Sequence, residues 1–381
     1  MIKNKFIITL SFIIIVSMPV LVHSANQAFE ISIKANAFLD SLDESQLIIA
    51  KIPLGSNKRA EWTNLPNIMM QPAGLLIKDM NQKSRKALHR LMRATLSSQG
   101  YSKITGVMLL DDLLQEIEMQ DWRANKERND FVRTFSKPMA KAFISTRDYE
   151  NYSVAVFGKP SDPSWGWRIT GHHLAANFTL VNGKIAFTPI FLGSNPMEVQ
   201  NGRYAGIRVL ANEGVLGIEF MQSLNKEQRL KAIINNGSVK DIFEGPGRRK
   251  SLQKYEGILA TDLTKKQNHL LEKLIGEFIN NAKSQAASSQ YDLIKKTWDE
   301  LWFSWQGTVD ADSKFYYRVH GPRLLIEYSR VDNNHDHMII RDPSNDYGED
   351  WLEKHYEEHH PNIKDTIENS RKRAADIANK K

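Results

Sequence analysis

Cysteine is absent from the 381 residues of this chain. Disulfides are therefore excluded, and so are a cysteine nucleophile and lipid attachment at a lipobox. Without cross-links, the chain depends on a hydrophobic core for its stability. Its hydrophobic content of 41% and its length allow one large domain or two ordinary ones.

Two glycine-dependent catalytic motifs are also missing. The glycine-rich run at residues 193–206 has neither the lysine nor the strand-to-helix context of a P-loop, so nucleotide binding has no support. No G-x-S-x-G nucleophile elbow occurs.

A strong charge of one sign is lacking too. The formal net charge is +7, and Lys3 and Lys5 contribute two of these charges. Basic residues cluster only at residues 248–250 and in the final segment, residues 361–381, which is predicted to be a basic tail. Because no basic stripe of the kind that follows a phosphate backbone is present, we expect no nucleic-acid partner.

The first 25 residues have the pattern of a signal peptide. A basic start, MIKNK, precedes an apolar run at residues 6–22, and small residues at Ser24 and Ala25 permit cleavage. The length of the run leaves an uncleaved membrane anchor as the alternative. The sequence therefore predicts an exported, periplasmic or extracellular protein that meets the membrane only through this leader.

Residues 26–150 are predicted to form an N-terminal helical segment. Asn81 is a suitable N-cap, and Leu88, Leu91 and Met92 begin an apolar stripe at helical spacing. A second helical stretch is predicted at residues 211–301, where residues 281–290, NAKSQAASSQ, have the composition of a linker. No internal repeat of helical-solenoid or propeller period is evident.

From residue 152 the hydrophobic period changes from 3.6 to 2. Asn182 and Gly183 predict a type I′ hairpin turn between two alternating segments, and a second run of strands follows residue 301. We therefore expect an α+β fold, with a large antiparallel sheet at residues 151–360 built from two meanders. The helical stretch at residues 211–301 is an insertion in this domain, and helices pack on one face of the sheet.

Alternation along the strands separates an apolar set, to which Phe178, Phe187 and Phe191 are assigned, from a polar set on the opposite face. Histidine and arginine are unusually frequent in the polar set. A polar face left to water is the alternative explanation. The polar set comprises Arg168, Thr170, His172, His173, Asn177, Thr179, Thr188, Tyr316, Arg318, His320, Glu327, Ser329, His335, His337 and Arg341.

His335 and His337 form the most specific pattern in this set. An H-x-H spacing on a strand places both imidazoles on one side, close enough to bind one metal ion. The adjacent His172 or His173 is the predicted third ligand. The sequence thus predicts a divalent transition-metal site for zinc, copper or iron.

An enzyme acting on a small anionic substrate is the favoured interpretation. Arg168, Asn177 and Arg341 are the candidate substrate-binding residues, and Glu327 and Tyr316 are the candidates for proton transfer. The substrate and the oligomeric state are not specified by the sequence.

Two non-catalytic interpretations stay open. One is a binding protein for a sugar or a peptide, with a groove lined by Trp165, Trp167 and Tyr316. The other is an exported structural partner without a small-molecule site.

A further metal pattern lies near the C-terminus, in HYEEHH. His355, Glu358 and His359 match the H-x-x-E-H spacing of some zinc proteases. Only the short basic tail follows to supply a third ligand. Histidines at the edge of an amphipathic helix are the simpler interpretation.

Three segments carry a family resemblance. WGWRITGHHLAANFTLVNGKIAFTPIFLGSNP, KFYYRVHGPRLLIEYSR and HDHMIIRDPSNDYG resemble domain-of-unknown-function family 3500, a group of mostly secreted bacterial proteins. The resemblance covers most of the mature chain. It implies export but no activity, and the segment between Tyr328 and His335 is shorter than the family pattern.

Overall fold

The structure is a computed structural model that describes residues 18–124, 135–237, 241–310 and 312–359. The apolar run of the predicted leader lies mostly outside the described residues, as does the predicted basic tail. Among the described residues, no helix is both long enough and apolar enough to cross a membrane.

Ten α-helices lie in the described part of the chain. Side-chain caps begin several of them: Asn81 accepts a hydrogen bond from the Ser84 amide, and Thr264 accepts one from the Gln267 amide. The helices are α1 (Met18–Leu39), α2 (Glu44–Ala50), α3 (Gln82–Thr95), α4 (Ser98–Arg123), α5 (Lys137–Ile144), α6 (Ala211–Ser223), α7 (Lys226–Ala232), α8 (Lys265–Ile279), α9 (Ser284–Lys295) and α10 (Glu349–His359).

The described strands join into a single 13-stranded sheet. They are β1 (Lys51–Ile52), β2 (Leu75–Leu76), β3 (Ser153–Phe157), β4 (Ser164–Gly171), β5 (Leu174–Val181), β6 (Lys184–Ala186), β7 (Ile190–Ser194), β8 (Ile233–Asn235), β9 (Ile258–Leu259), β10 (Trp302–Gly307), β11 (Phe315–Gly321), β12 (Leu324–Asp332) and β13 (His335–Arg341).

The sheet is antiparallel except at its two ends. Its main path runs β1-β3-β4-β5-β7-β13-β12-β11-β10-β8, and only the β1–β3 and β8–β10 pairs are parallel. The two meanders meet where β7 pairs with β13. The predicted α+β class and the joining of two meanders into one large, mostly antiparallel sheet are therefore confirmed.

The Asn182–Gly183 turn has the predicted geometry. Both residues have positive φ, at 49° and 79°, and Val181 pairs with Lys184 across them. In contrast, residues 284–290 belong to α9, so the predicted linker at residues 281–290 is mostly helical. Ala286, Ala287 and Gln290 are buried in this helix, which shows that small residues there allow close packing.

The order of elements occurs twice along the chain. Two helices, a short parallel end strand, a second short strand, two further helices and a meander appear first in residues 18–194 and again in residues 211–341. The first half additionally contains α5 and the short strand β6. The sheet order reads the same from either end about the β7–β13 pair. The predicted helical insertion thus has the same order of elements as the N-terminal helical segment. This similarity does not show as a short sequence period.

Equivalent turns mark this repeat at the level of single residues. Gly171 pairs with Leu174 around a two-residue turn in the first meander, and Gly321 pairs with Leu324 in the second. A Cβ at Gly171 would lie 2.7 Å from the Tyr152 ring, and a Cβ at Gly321 would lie 2.6 Å from the Leu301 side chain. Close packing therefore explains glycine at both positions.

Helices cover one face of the sheet and form the main core with Trp167, Phe178 and Ile326. The opposite face is also covered, by the loops at residues 53–74 and 241–257. Arg168 and Arg341, for example, are at most 1% exposed there. The polar face is therefore buried rather than solvated.

Phe191 lies on this second face, so its assignment to the main core was wrong. It pairs with Ile339 and belongs to a separate apolar cluster with Trp62 and Tyr347. The cis peptide bond before Pro189 lies between β6 and β7, where the alternation counted from Ile185 is interrupted. Alternation predicts a face only along an unbroken strand.

His320 predicts a pH dependence of stability. It lies on the second face against Tyr255, near Arg318 and Glu256, and burial together with the Arg318 charge lowers its pKa to about 4. The unfolded histidine protonates near pH 6.5, so stability present above that pH is lost as the pH falls toward 4. His320→Gln is expected to reduce the loss of unfolding free energy between pH 7.5 and 5 by about 1 kcal/mol.

Urea denaturation at both pH values measures this difference. His269→Gln is the matched control, because the His269 side chain is 79% exposed. An unchanged pH dependence in the His320 variant would contradict the prediction.

Candidate metal centre

Three histidines converge at the β7–β13 junction. The Nε2 atom of His335 lies 3.0 Å from Nε2 of His173 and 2.9 Å from Nε2 of His337. His335 and His337 come from the start of β13, and their H-x-H spacing places both rings on one side of that strand. We call His173, His335 and His337 the histidine triad.

His173 joins the triad because it lies in a turn rather than in a strand. It is the second residue of the two-residue turn between β4 and β5, and its φ is +58°. Its carbonyl accepts a hydrogen bond from the Gly193 amide at 2.7 Å, and its amide donates to the Asn64 carbonyl at 3.1 Å. These bonds hold the turn against β7, beside the β13 histidines.

His172 is directed elsewhere. Its Nδ1 lies 2.5 Å from an Asp111 carboxylate oxygen on α4, and Arg147 contacts its ring nitrogens. The His172 ring stacks on His173 with centroids 3.8 Å apart. Of the two candidates for a third ligand, the geometry therefore favours His173, and His172 supports its ring.

Carboxylates lie behind two of the triad histidines. The Nδ1 atom of His337 is 2.7 Å from Asp241, and Nδ1 of His335 is 3.5 Å from Asp332. A carboxylate accepts hydrogen bonds, so the His337 proton resides on Nδ1 and its Nε2 lone pair points toward the triad. This carboxylate–histidine arrangement is the one that orients metal ligands in proteins.

The triad is electrostatically suited to a cation. Burial, followed by the neighbouring His337, lowers the pKa of His335 to about 4, and burial lowers the pKa of His173 well below its ordinary value. Burial acts to raise the pKa of Asp241, but His337 outweighs it and the pKa lies below its ordinary value. At neutral pH the imidazoles of His173 and His335 are therefore neutral, and the Asp241 carboxylate is ionised.

The spacing also fits a metal ion. One ligand atom from each triad residue lies within 4.8 Å of the other two, and this is the one such histidine or carboxylate group found in the described part of the chain. Tetrahedral zinc with nitrogen ligands needs about 3.3 Å between nitrogens. His335 would need to separate from each of the other two rings by only a few tenths of an ångström, so the buried triad could hold a metal ion.

Gly193 makes room for the triad. A Cβ at this position would lie 2.8 Å from the His173 ring and 2.9 Å from the His337 ring. Gly193→Ala is expected to displace both rings and weaken zinc affinity at least about tenfold, because metal sites require accurate ligand placement. Competition with a chromophoric chelator measures the affinity.

Gly55→Ala is the control for this substitution. No atom lies within 4 Å of a Cβ built at Gly55, and the residue does not have positive φ. Zinc affinity equal in the two alanine variants would show that Gly193 is not needed for the arrangement of the triad.

The three predicted substrate-binding residues lie on the same sheet face but bond to protein atoms. The Arg168 guanidinium donates to carbonyls within residues 58–73, and the Asn177 amide donates to the Pro189 carbonyl. Arg341 donates to Asp346 and to the Glu244 carbonyl. These contacts attach covering segments to the sheet, and the proposed substrate roles stay predictions.

The two predicted proton-transfer residues form a buried pair. Tyr316 donates to Glu327 at 2.7 Å, and the same carboxylate accepts bonds from the amides of Phe243 and Glu244. Burial raises the pKa of Glu327 and raises that of Tyr316 well above its ordinary value. Both side chains are fully buried, so the contacts indicate a loop anchor, and their catalytic roles stay predictions.

The C-terminal H-x-x-E-H pattern lies on α10. His355 is buried at the helix edge, with its ring 3.3 Å from the Asn182 side-chain amide. His355 and Glu358 belong to no group of metal-ligand spacing among the described side chains, which do not include that of His359. The edge-of-helix interpretation agrees with this position.

Sequence patterns missed the two carboxylates of the site. Asp332 lies three residues before His335, and this short spacing was an available signal. Asp241 is 96 residues away from His337, in a loop without a motif, so no local pattern identifies it.

The site has no symmetric counterpart in the repeat. The turn residue equivalent to His173 is Arg323, which forms a 2.8 Å ion pair with Asp342. The triad instead combines His173 of the first repeat with His335 and His337 of the second.

Comparison with known proteins gives a family without an assigned activity. No curated protein and no solved structure matches the chain. The family described as "Protein of unknown function (DUF3500)" matches residues 24–349, which include both meanders and all three triad histidines. The chain belongs to this family, as the sequence motifs predicted.

Proposed function

We propose that this protein binds one divalent transition metal through His173, His335 and His337. The observation that carries the proposal is the convergence of three Nε2 atoms: those of His173 and His337 both lie within hydrogen-bonding distance of His335 Nε2, and Asp241 lies behind His337. Converging lone pairs repel each other unless a proton or a cation lies between them. A metal ion satisfies all three at once.

Zinc, copper and iron are the candidate metals, since all three accept imidazole ligands. Three protein ligands leave a coordination position open, which is typical of catalytic rather than structural zinc sites. When bound, such an ion supplies Lewis-acid chemistry. Asp241 and Asp332 orient the imidazoles, and the stacked His172 limits rotation of the His173 ring.

The burial of three aromatic residues argues against the groove-binding alternative. Trp165 and Trp167 are 1% exposed and Tyr316 is fully buried, so they line no open groove. The expectation of an anionic substrate depended on Arg168 and Arg341, and both guanidinium groups bond to protein atoms. The proposed function is therefore metal binding, without an assigned reaction.

Export is proposed from the leader. Gln27 and Ala28 of α1 are buried, and cleavage after Ser24 or Ala25 would keep both in the mature chain. Mass spectrometry of the extracytoplasmic fraction should find a mature N-terminus at Ala25 or Asn26. An intact leader on a membrane-bound protein would contradict this proposal.

Elemental analysis tests the metal site directly. The protein is purified without a histidine tag, offered zinc, copper and iron in turn, and freed of loosely bound metal. We expect close to one metal ion per chain. A content near zero with all three metals would remove the proposed function.

A further inference from the structure

A cleft of about 550 Å³ opens beside the metal centre. One wall is the C-terminal half of α4, which presents Leu114, Ile117 and Gln120. The facing wall is the loop at residues 195–204, which follows β7. The volume lies within the range of small-molecule sites, roughly 300–1,000 Å³.

The cleft and the triad share one set of backbone segments. Asn334, at the cleft, directly precedes His335, and Asn195 is two residues beyond Gly193. The Asn334 side chain bonds to both backbone groups of Glu198, at 2.8 and 3.1 Å. These two hydrogen bonds fix the loop at residues 195–204 to the β12–β13 turn. The cleft wall therefore keeps a fixed position relative to His335.

His335 is the most exposed triad member and follows the cleft residue Asn334 directly in sequence. Its side chain is 17% exposed, whereas that of His337 is 6% exposed. None of the three histidines lines the cleft itself, so a ligand must extend past Asn334 to meet the metal.

The lining of the cleft offers hydrogen-bonding groups for a ligand rich in hydroxyl groups, and its charge disfavours an anion. Gln120, Gln200 and Asn201 offer amides, which both donate and accept hydrogen bonds as hydroxyl groups do. Tyr204 is 39% exposed and lines the same space, with the Arg203 guanidinium 4.7 Å from its ring centroid. The charged residues of the lining are Glu116, Glu118, Asp121 and Arg203. Amides around an aromatic ring and an aliphatic wall match a sugar, which has hydroxyl edges and apolar C–H faces.

We propose that this cleft binds a neutral saccharide and presents one of its hydroxyl groups to the metal held by the triad. The binding step rests on Tyr204, Gln200 and Asn201 alone. Only the contact between hydroxyl and metal rests on the proposed function. The same site would therefore be a metal-dependent centre for saccharide chemistry.

Calorimetric titration tests this proposal with five probes: maltose, cellobiose and lactose as neutral disaccharides, glucuronate as an anion and trialanine as a peptide. Metal-loaded protein is expected to bind at least one disaccharide and neither of the other two probes. Tyr204→Ala and Asn201→Ala should each weaken that binding about tenfold or more, which corresponds to losing a good contact. Tyr255→Ala is the matched control, because Tyr255 is 47% exposed but packs on His320, away from the cleft.

Metal content measured on the same samples separates the two proposals. A metal-loaded protein that binds no disaccharide, or that prefers glucuronate or trialanine, would overturn the saccharide cleft and leave the metal site intact. Saccharide binding that depends on Tyr204 in a protein that takes up no metal would overturn the proposed function and retain the cleft. Equal losses in the Tyr204 and Tyr255 variants would also overturn the cleft.

Discussion

His337→Ala is expected to lower the metal content from about one ion per chain to nearly none. This imidazole has the most complete support of the triad: its Nε2 lies 2.9 Å from Nε2 of His335, and its Nδ1 bonds to Asp241 at 2.7 Å. Removing it leaves two ligands, too few for the sites that proteins use to hold zinc. Elemental analysis of tag-free protein provides the measurement.

The two adjacent histidines of the β4–β5 turn provide a matched comparison. His173→Ala should abolish metal binding as His337→Ala does, because His173 belongs to the triad. His172→Ala removes an identical side chain one position away, but one that bonds to Asp111. We expect this variant to retain the metal with a weaker affinity, since it loses only the ring stacked on His173.

Circular dichroism keeps this comparison interpretable, because all three variants alter buried residues. A folded His337→Ala protein that retains full metal content would contradict the assignment of the triad. A His172→Ala protein without metal beside a fully loaded His173→Ala protein would show that the third ligand had been chosen wrongly.

Local patterns were sufficient for much of this fold. Strand alternation and the Asn182–Gly183 turn depend on neighbouring residues, and they predicted the meanders, the hairpin and the side of β13 that carries His335 and His337. The spacing of two histidines on one strand is equally local. This is why two of the three triad histidines, His335 and His337, could be predicted together from the sequence.

Contacts between distant segments could not be predicted in this way. The cover over the second sheet face comes from loops whose bonds to Arg168 and Glu327 span 83 or more residues. The histidines and arginines that indicated a ligand-binding face therefore have two different roles. Three histidines converge, and the arginines bond the covering loops to the sheet. The repeat was missed because its halves share elements and a few turn residues rather than a short sequence period.

Phe178→Ala is expected to lower the unfolding free energy by roughly 3–5 kcal/mol, the usual cost of truncating a buried phenylalanine. Phe178 is 2% exposed and stacks on Trp167, its cross-strand partner, with ring centroids 4.8 Å apart. The pair lies in the main core, where helices cover the central hairpin. Alanine would leave a cavity beside a rigid tryptophan, and the surrounding sheet and helices can close it only in part.

Thr179→Ala tests the same strand on its other face. Thr179 is also 2% exposed, and a Cβ built at Gly348 would lie 3.1 Å from its methyl group, which shows close packing of that segment. Alanine removes only a methyl and a hydroxyl group there, so we expect a cost of about 1 kcal/mol. Urea denaturation of both variants, with unchanged denaturant slopes, measures the two costs. A loss for Thr179→Ala equal to that for Phe178→Ala would mean that the loop-covered face contributes as much stability as the helix-covered core, against the distribution of apolar contacts in the structure.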